Sequence, residues 1–202
     1  MDSFILKTLV YILPAQDERM VFAVLSGGVS ERLDPHFYLP SLAHNMQMLQ
    51  RAKAEPLGTL VSFSGETWDP ATHDELSFRY IEISNVNPQT GEANAEETAV
   101  AEAPSRARMA VRTNDILVSL TRPHHGAIAR ITPDLDGCVA STGFSVLRGI
   151  KESRINRDYL WCILRARFCL LQMLQRASGG NYPAITELEL AKVLVPVPSQ
   201  SV

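Results

Sequence analysis

Apolar residues along this chain fall into distinct patterns, each predicting a different element. Between residues 59 and 147 they form short runs: Thr59 to Phe63, Phe78 to Ile83, Ile116 to Leu120, Ala127 to Ile131 and Phe144 to Leu147. Most are bounded by Gly, Pro, Asn or Asp, which is the signature of short strands in a compact sheet or barrel. Helical spacing appears after Pro40, where Leu42, Met46 and Leu49 share a face, Ser41 stands as N-cap, and Pro56 and Gly58 end the run. It returns from Arg157 to Ala177, where Leu160, Ile163, Leu164, Phe168, Leu171 and Leu174 repeat opposite a polar stripe of Asp158, Arg165, Gln172 and Arg176. Asn156 opens this segment as N-cap and Ser178-Gly179-Gly180 stops it, predicting one long helix packed on the sheet. Thr186 and Glu189 make a capping box for a short helix, and Val193 to Pro198 reads as an edge strand or extended tail. The apolar clusters Phe4 to Val10 and Val21 to Leu25 fit strands or short helices equally. Asn85 to Pro104, with turn pairs Asn87-Pro88 and Thr90-Gly91, is predicted to be an excursion from the core.

With 202 residues, 46% of them hydrophobic, the chain has enough apolar surface for one main domain carrying a smaller N-terminal attachment. Lys7 and Pro14 interrupt the opening apolar stretch, so no membrane span is expected. Asp2 stands where a secretory signal would carry basic residues, and a cytoplasmic location is the expectation. Cys138, Cys162 and Cys169 form no C-x-x-C pair, which argues against a disulfide framework or zinc site and for buried free thiols. The net charge of -3 is unevenly spread. Residues 66-103 carry 1 basic and 9 acidic side chains, whereas residues 104-202 carry 13 and 7. The C-terminal half is therefore the part suited to face an anionic partner.

Catalytic signatures are missing. There is no phosphate-loop motif, G-x-G-x-x-G, G-x-S-x-G or H-E-x-x-H. Asp34-Pro35-His36-Phe37 approaches an amino-methyltransferase tetrapeptide but has His where that chemistry wants Pro. Asp69, His73, Asp74 and Glu75 read as a solvated acidic loop rather than a cation site, and Asp115 has no acid-x-Lys partner of the nuclease type.

Binding chemistry is better represented. Thr121-Arg122-Pro123-His124-His125-Gly126 joins two predicted strands as a hairpin tip, displaying a hydroxyl, a guanidinium and two imidazoles. Arg pairs bidentately with a guanine edge, and such a tip is expected to reach into a groove. Ser178-Gly179-Gly180-Asn181-Tyr182-Pro183 is the second candidate, since Asn reads adenine and Tyr contacts phosphate or sugar. Arg122, His124, Asn181 and Tyr182 are the base-edge candidates, with Thr121, His125 and Ser178 beside them. Arg79, Arg106 and Arg108 are the phosphate candidates. On residues alone, an ordinary polar hairpin tip explains the first loop equally well, and a helix stop followed by a turn explains the second slightly better.

Arg32 to Pro40, Leu57 to Val61, Phe78 to Val86, Val111 to Ser119, Ser141 to Leu147, the Arg157 helix and Gly179-Gly180 followed by Leu188 to Pro198, taken in this order, resemble the target-recognition domain of type I restriction-modification specificity subunits. They begin with Arg32-Leu33-Asp34-Pro35-His36-Phe37-Tyr38-Leu39-Pro40 and Leu57-Gly58-Thr59-Leu60-Val61. Next come Phe78-Arg79-Tyr80-Ile81-Glu82-Ile83-Ser84-Asn85-Val86 and Val111-Arg112-Thr113-Asn114-Asp115-Ile116-Leu117-Val118-Ser119, where Asn114 stands in place of the family's usual Gly. Ser141 to Leu147, the Arg157 helix, and Gly179-Gly180 followed by Leu188 to Pro198 complete the set. The resemblance implies an α+β fold with a curved, mostly antiparallel sheet or partial barrel and a long packed helix. It divides the chain into an N-terminal segment of unknown role (1-29), a DNA target-recognition domain (30-198) and a tail (199-202).

It further implies a non-catalytic domain that binds double-stranded DNA and reads one half of a split target. Methyltransferase and restriction subunits would be its partners, and would hold S-adenosylmethionine, ATP and magnesium, with no cofactor in this chain. Such subunits usually carry two domains separated by long helices. On this resemblance the chain is a half subunit completed by a second specificity half or a second copy of itself, a truncated or degenerate copy, or a domain whose assembly role has been lost. The alternative function is a protein-binding module that docks a larger assembly without reading DNA.

Overall fold

In a computed structural model, residues 32-198 are described in full, together with the backbone strands β1 (Val10–Ile12) and β2 (Phe22–Val24), which pair antiparallel. The apolar cluster Val21 to Leu25 is thus a strand at its centre, and the cluster Phe4 to Val10 ends where β1 begins. The rest of that first cluster, the role of segment 1-29 and the tail 199-202 lie outside the described residues.

The helix predicted after Pro40 is α1 (Pro40–Arg51). It begins two residues earlier than expected, with Leu39 as N-cap and Pro40 in the first turn, where a fixed φ and a missing N–H cost nothing. Ser41 therefore does not cap it. β3 (Glu55–Pro56) leads into a single turn, α2 (Leu57–Leu60), where a strand from Thr59 was expected; only β4 (Ser62–Phe63) is extended. Leu57 and Leu60 are both fully buried, a spacing of three that a helical turn satisfies and a strand does not.

After β4 come β5 (Ser77–Ile81), β6 (Glu96–Ala99), β7 (Ala107–Ala110), β8 (Ile116–Ser119), β9 (Ile128–Arg130), β10 (Val139–Ser141) and β11 (Phe144–Arg148). With β4 they form two four-stranded sheets, ordered β6-β5-β10-β7 and β4-β11-β8-β9, with every pairing antiparallel except β5 with β10. The sheets do not close into a barrel. The expected α+β fold with a mostly antiparallel, partly wrapped sheet is present. The chain passes from one sheet to the other through the turn Thr142-Gly143 between β10 and β11.

The run Ile116-Leu117-Val118 is apolar at consecutive positions because β8 is buried on both faces. Ile116 and Val118 pack toward the helices with Leu147 and Ile128, while Leu117 joins Phe144, Val146, Ala129 and Ile81 between the sheets. Asn114, in the turn before β8, has φ +76, a left-handed conformation that Asn tolerates better than most residues.

The long helix predicted from Arg157 is two helices, α3 (Arg157–Leu164) and α4 (Arg167–Arg176), with Ala166 extended between them. Asn156 caps α3 as expected, accepting from the Tyr159 amide. The break turns the inward face: Leu160 and Leu164 are buried on α3, but Cys169, Gln172, Met173 and Gln175 are buried on α4. Gln172, expected on the polar stripe, is wholly buried because its amide donates to the Leu194 carbonyl and accepts from the Leu194 amide. It thus serves the backbone of β12 (Leu194–Val195), which pairs with β3. Ahead of it lies α5 (Glu187–Leu190), where Thr186 caps the Glu189 amide, while the Glu189 carboxylate turns to Arg176 and Lys192 instead of completing a capping box.

Asn85 to Pro104 is not an excursion. Val86 and Gly91 are buried, β6 extends the first sheet, and the Arg165 side chain donates to the carbonyls of Pro88 and Gln89 while lying over Trp161. Of the cysteines, Cys138 and Cys169 are buried as expected, and burial pushes the Cys169 thiol up to about 12. Cys162 is exposed.

Candidate nucleic-acid interface

The segment Arg32 to Pro40 is tied to the far end of the chain. Arg32 pairs with Asp34 at 2.8 Å and donates to the Arg176 carbonyl at the end of α4, while Tyr38 Oη donates to the Arg32 carbonyl. Gln175 Nε2 reaches the Phe37 carbonyl. Asp34 accepts the Phe37 amide as a cap. The segment therefore clasps the end of α4, which is the point from which the 178-183 loop departs.

That loop meets the one between β8 and β9. Thr121 bridges Ala184, the Arg122 amide donates to the Pro183 carbonyl at 2.7 Å, and the Ile185 amide donates to the Leu120 carbonyl. Ser178 and Ala184 exchange backbone hydrogen bonds at 2.8 Å, closing the second loop on itself. Arg122 lies over the Tyr182 ring, 4.1 Å from its centroid, and its Nη2 donates to the Asn181 carbonyl at 3.1 Å. The Asn181 contact uses main chain and leaves its side-chain amide out of this bond. Tyr182 is 70% exposed.

The 121-126 segment does not project as a free hairpin tip. A 3-10 turn at Pro123–His125 follows Arg122, Pro123 and Gly126 are buried, and Leu170 of α4 lies against Gly126. A rigid proline and a close helix contact thus hold the loop, while Arg122 stays half-buried against the 181-183 segment. His125 is exposed. His124 is half-buried and meets the His125 ring edge-on. Burial, then the neighbouring His125 and Arg122 charges, hold its imidazole below the ordinary value, so it is a neutral hydrogen-bonding group at neutral pH rather than a phosphate counter-charge.

Arg106 joins this end of the molecule. Its carbonyl accepts the Thr142 amide, and the Gly143 carbonyl accepts the Leu120 amide, so one turn links it to the 121-126 loop. Arg108 follows on β7, half-buried, with Nη1 on the Ala107 carbonyl. Arg79 is placed elsewhere: on β5 it stands level with Cys138, at the opposite end of β10 from Thr142, and it donates to the Asp134 carbonyl. The structure therefore brings together Thr121, Arg122, His124, His125, Ser178, Asn181 and Tyr182, links Arg106 to them through the Thr142-Gly143 turn, leaves Arg108 further along β7 where its carbonyl accepts the Trp68 amide, and separates Arg79.

Sequence reasoning missed a charged network between the sheets. Arg148 forks onto Asp115 at 2.9 and 2.7 Å and also pairs with Glu66, which pairs with Arg112. Hydrogen bonds from Arg112 and then Arg148 hold the Glu66 carboxyl at about 2. Asp115 is 2% exposed, and its spacing before β8 gave no sign of a partner 33 residues on. Among the described residues, no group of three or more His, Cys, Asp or Glu converges as a metal site, and no helix is long and apolar enough to cross a membrane.

No family model matches the sequence, and no curated protein matches it. Solved structures do. The HsdS subunit from Thermoanaerobacter tengcongensis is 32% identical, with a TM-score of 0.62 over 71% of this chain and 37% of that one. A structure concerned with complex assembly and conformational transition of the type I R-M system matches with 32% identity and a TM-score of 0.64, over 72% of this chain and 37% of that one. The chain thus spans little more than a third of the proteins it matches. With its motifs in order on this sheet-and-helix framework, the chain has the fold of a single target-recognition domain of type I restriction-modification specificity subunits.

Proposed function

We propose that this chain is a sequence-specific DNA-binding component of a type I restriction-modification system, with residues 30-198 reading one half of a split target. The observation that carries this reading is the 32% identity to an HsdS subunit across 71% of the chain. The junction of the 121-126 and 178-183 loops is the reading surface, with Arg106 and Arg108 on phosphates. Arg supplies the donors that base edges and phosphates accept, and two loops fixed to each other lose little freedom on binding. The chain itself performs no catalysis in this scheme. Methyltransferase and restriction subunits supply S-adenosylmethionine, ATP and magnesium chemistry in the cytoplasm, and a second specificity half or second copy reads the other half-site.

The test is selection of the purified chain on a randomised duplex library at two salt concentrations, repeated with a cognate methyltransferase subunit. Enrichment of one short motif, with retention falling as salt rises, is the expected result. Negligible retention of every duplex in both arms would overturn the reading.

A further inference from the structure

We propose that Arg122 is a specificity-determining residue for a guanine in the target, and that Tyr182 is the residue that positions it. This rests on the DNA-reading function proposed above and names what one side chain of that surface selects.

Arg122 has φ 46 and ψ 51, a left-handed backbone conformation that non-glycine residues seldom adopt. The surrounding structure holds it there: its amide is fixed to the Pro183 carbonyl, and its carbonyl accepts the His125 amide at 2.9 Å. Such conformations persist where neighbouring contacts over-determine them. The side chain is held as firmly, between the Tyr182 ring at 4.1 Å and the Asn181 carbonyl at 3.1 Å.

This arrangement leaves the rest of the guanidinium open. Arg112, Arg130, Arg148, Arg154, Arg157 and Arg176 each pair with a carboxylate, whereas Arg122 forms no salt bridge among the described residues. One of its N–H groups is spent on Asn181, and the planar fork keeps the others. Guanine offers O6 and N7 as paired acceptors in the major groove, while adenine offers a donor beside N7. Guanine and phosphate both offer paired acceptors to a guanidinium fork, whereas a lysine offers only a point charge; a fork held over the Tyr182 ring is oriented before it meets its partner, and the N7 replacement below distinguishes a base edge from a phosphate. Tyr182 is 70% exposed, so the core does not require it, and its ring serves as the platform.

The experiment uses the full chain and the duplex motif it selects, with each guanine in turn replaced by 7-deazaguanine, against Arg122→Gln, Tyr182→Ala and Tyr182→Phe. One guanine should show a roughly 5-fold loss on removal of N7, the lower end of what a whole bidentate pair discriminates because O6 is kept, and Arg122→Gln should abolish that discrimination. Tyr182→Ala should weaken the same preference and Tyr182→Phe restore it, a pattern a merely structural role would not produce. If the motif is selected but Arg122→Gln lowers affinity equally for all sequences, Arg122 is a phosphate contact; the guanine assignment falls and the DNA-reading function stands. If no motif is selected in any arm, both fall.

Discussion

Arg148 grips Asp115 through two nitrogens, Nε to Oδ1 at 2.9 Å and Nη2 to Oδ2 at 2.7 Å, and so fastens the end of β11 to the turn that starts β8. The Asp115 side chain is 3% exposed and Arg148 29%. Removing the arginine would leave a buried carboxylate with only the Arg112 amide beside it. Arg148→Leu should therefore cost about 3 kcal/mol, the lower end for breaking a buried pair because Arg148 is partly solvated. Denaturant unfolding of the two proteins measures it.

Glu66 joins the same network and gives it a pH dependence. Its folded value of about 2 lies below the ordinary 4.5, so its contribution is present above the unfolded value and is lost as pH falls from 4.5 toward 2. Wild type should be more stable than Glu66→Gln near neutrality, with the difference shrinking through that window. Unfolding midpoints at a series of pH values from neutrality down through that window provide the check.

Gly91 has φ +72, and a Cβ there would lie 2.7 Å from Trp161 Cζ2 and 2.8 Å from Arg165 Cζ. Gly91→Ala is expected to cost about 1–3 kcal/mol through strain and displacement of the 87-91 turn from α3. Thermal unfolding reads the loss; an unchanged transition would mean that this turn is not docked.

Arg106, linked to the loop junction through the Thr142-Gly143 turn, and Arg108, two residues along on β7, have no carboxylate partner among the described residues. Replacing both with Ala should weaken DNA binding across all sequences and reduce the salt slope by roughly one for each phosphate that is no longer neutralised. Binding isotherms at several salt concentrations distinguish this from relaxed base preference.

Local pattern was enough to find β8, β9 and β11 and the cap at Asn156, because each depends on neighbours within a few residues. The basic C-terminal half and the two loops at 121-126 and 178-183 were legible for the same reason. The bonds by which they meet were not, since those from Arg122 to Asn181 and Pro183 join residues that are distant along the chain. The break at Ala166 and the burial of Gln172 also came from tertiary contacts, which rotate α4 and require its amide for the Leu194 backbone. Sequence by itself determined where strands and caps form, through side-chain periodicity and local hydrogen bonding. Tertiary structure decided which polar groups meet, because a buried amide or charge is tolerated only where a distant partner satisfies it.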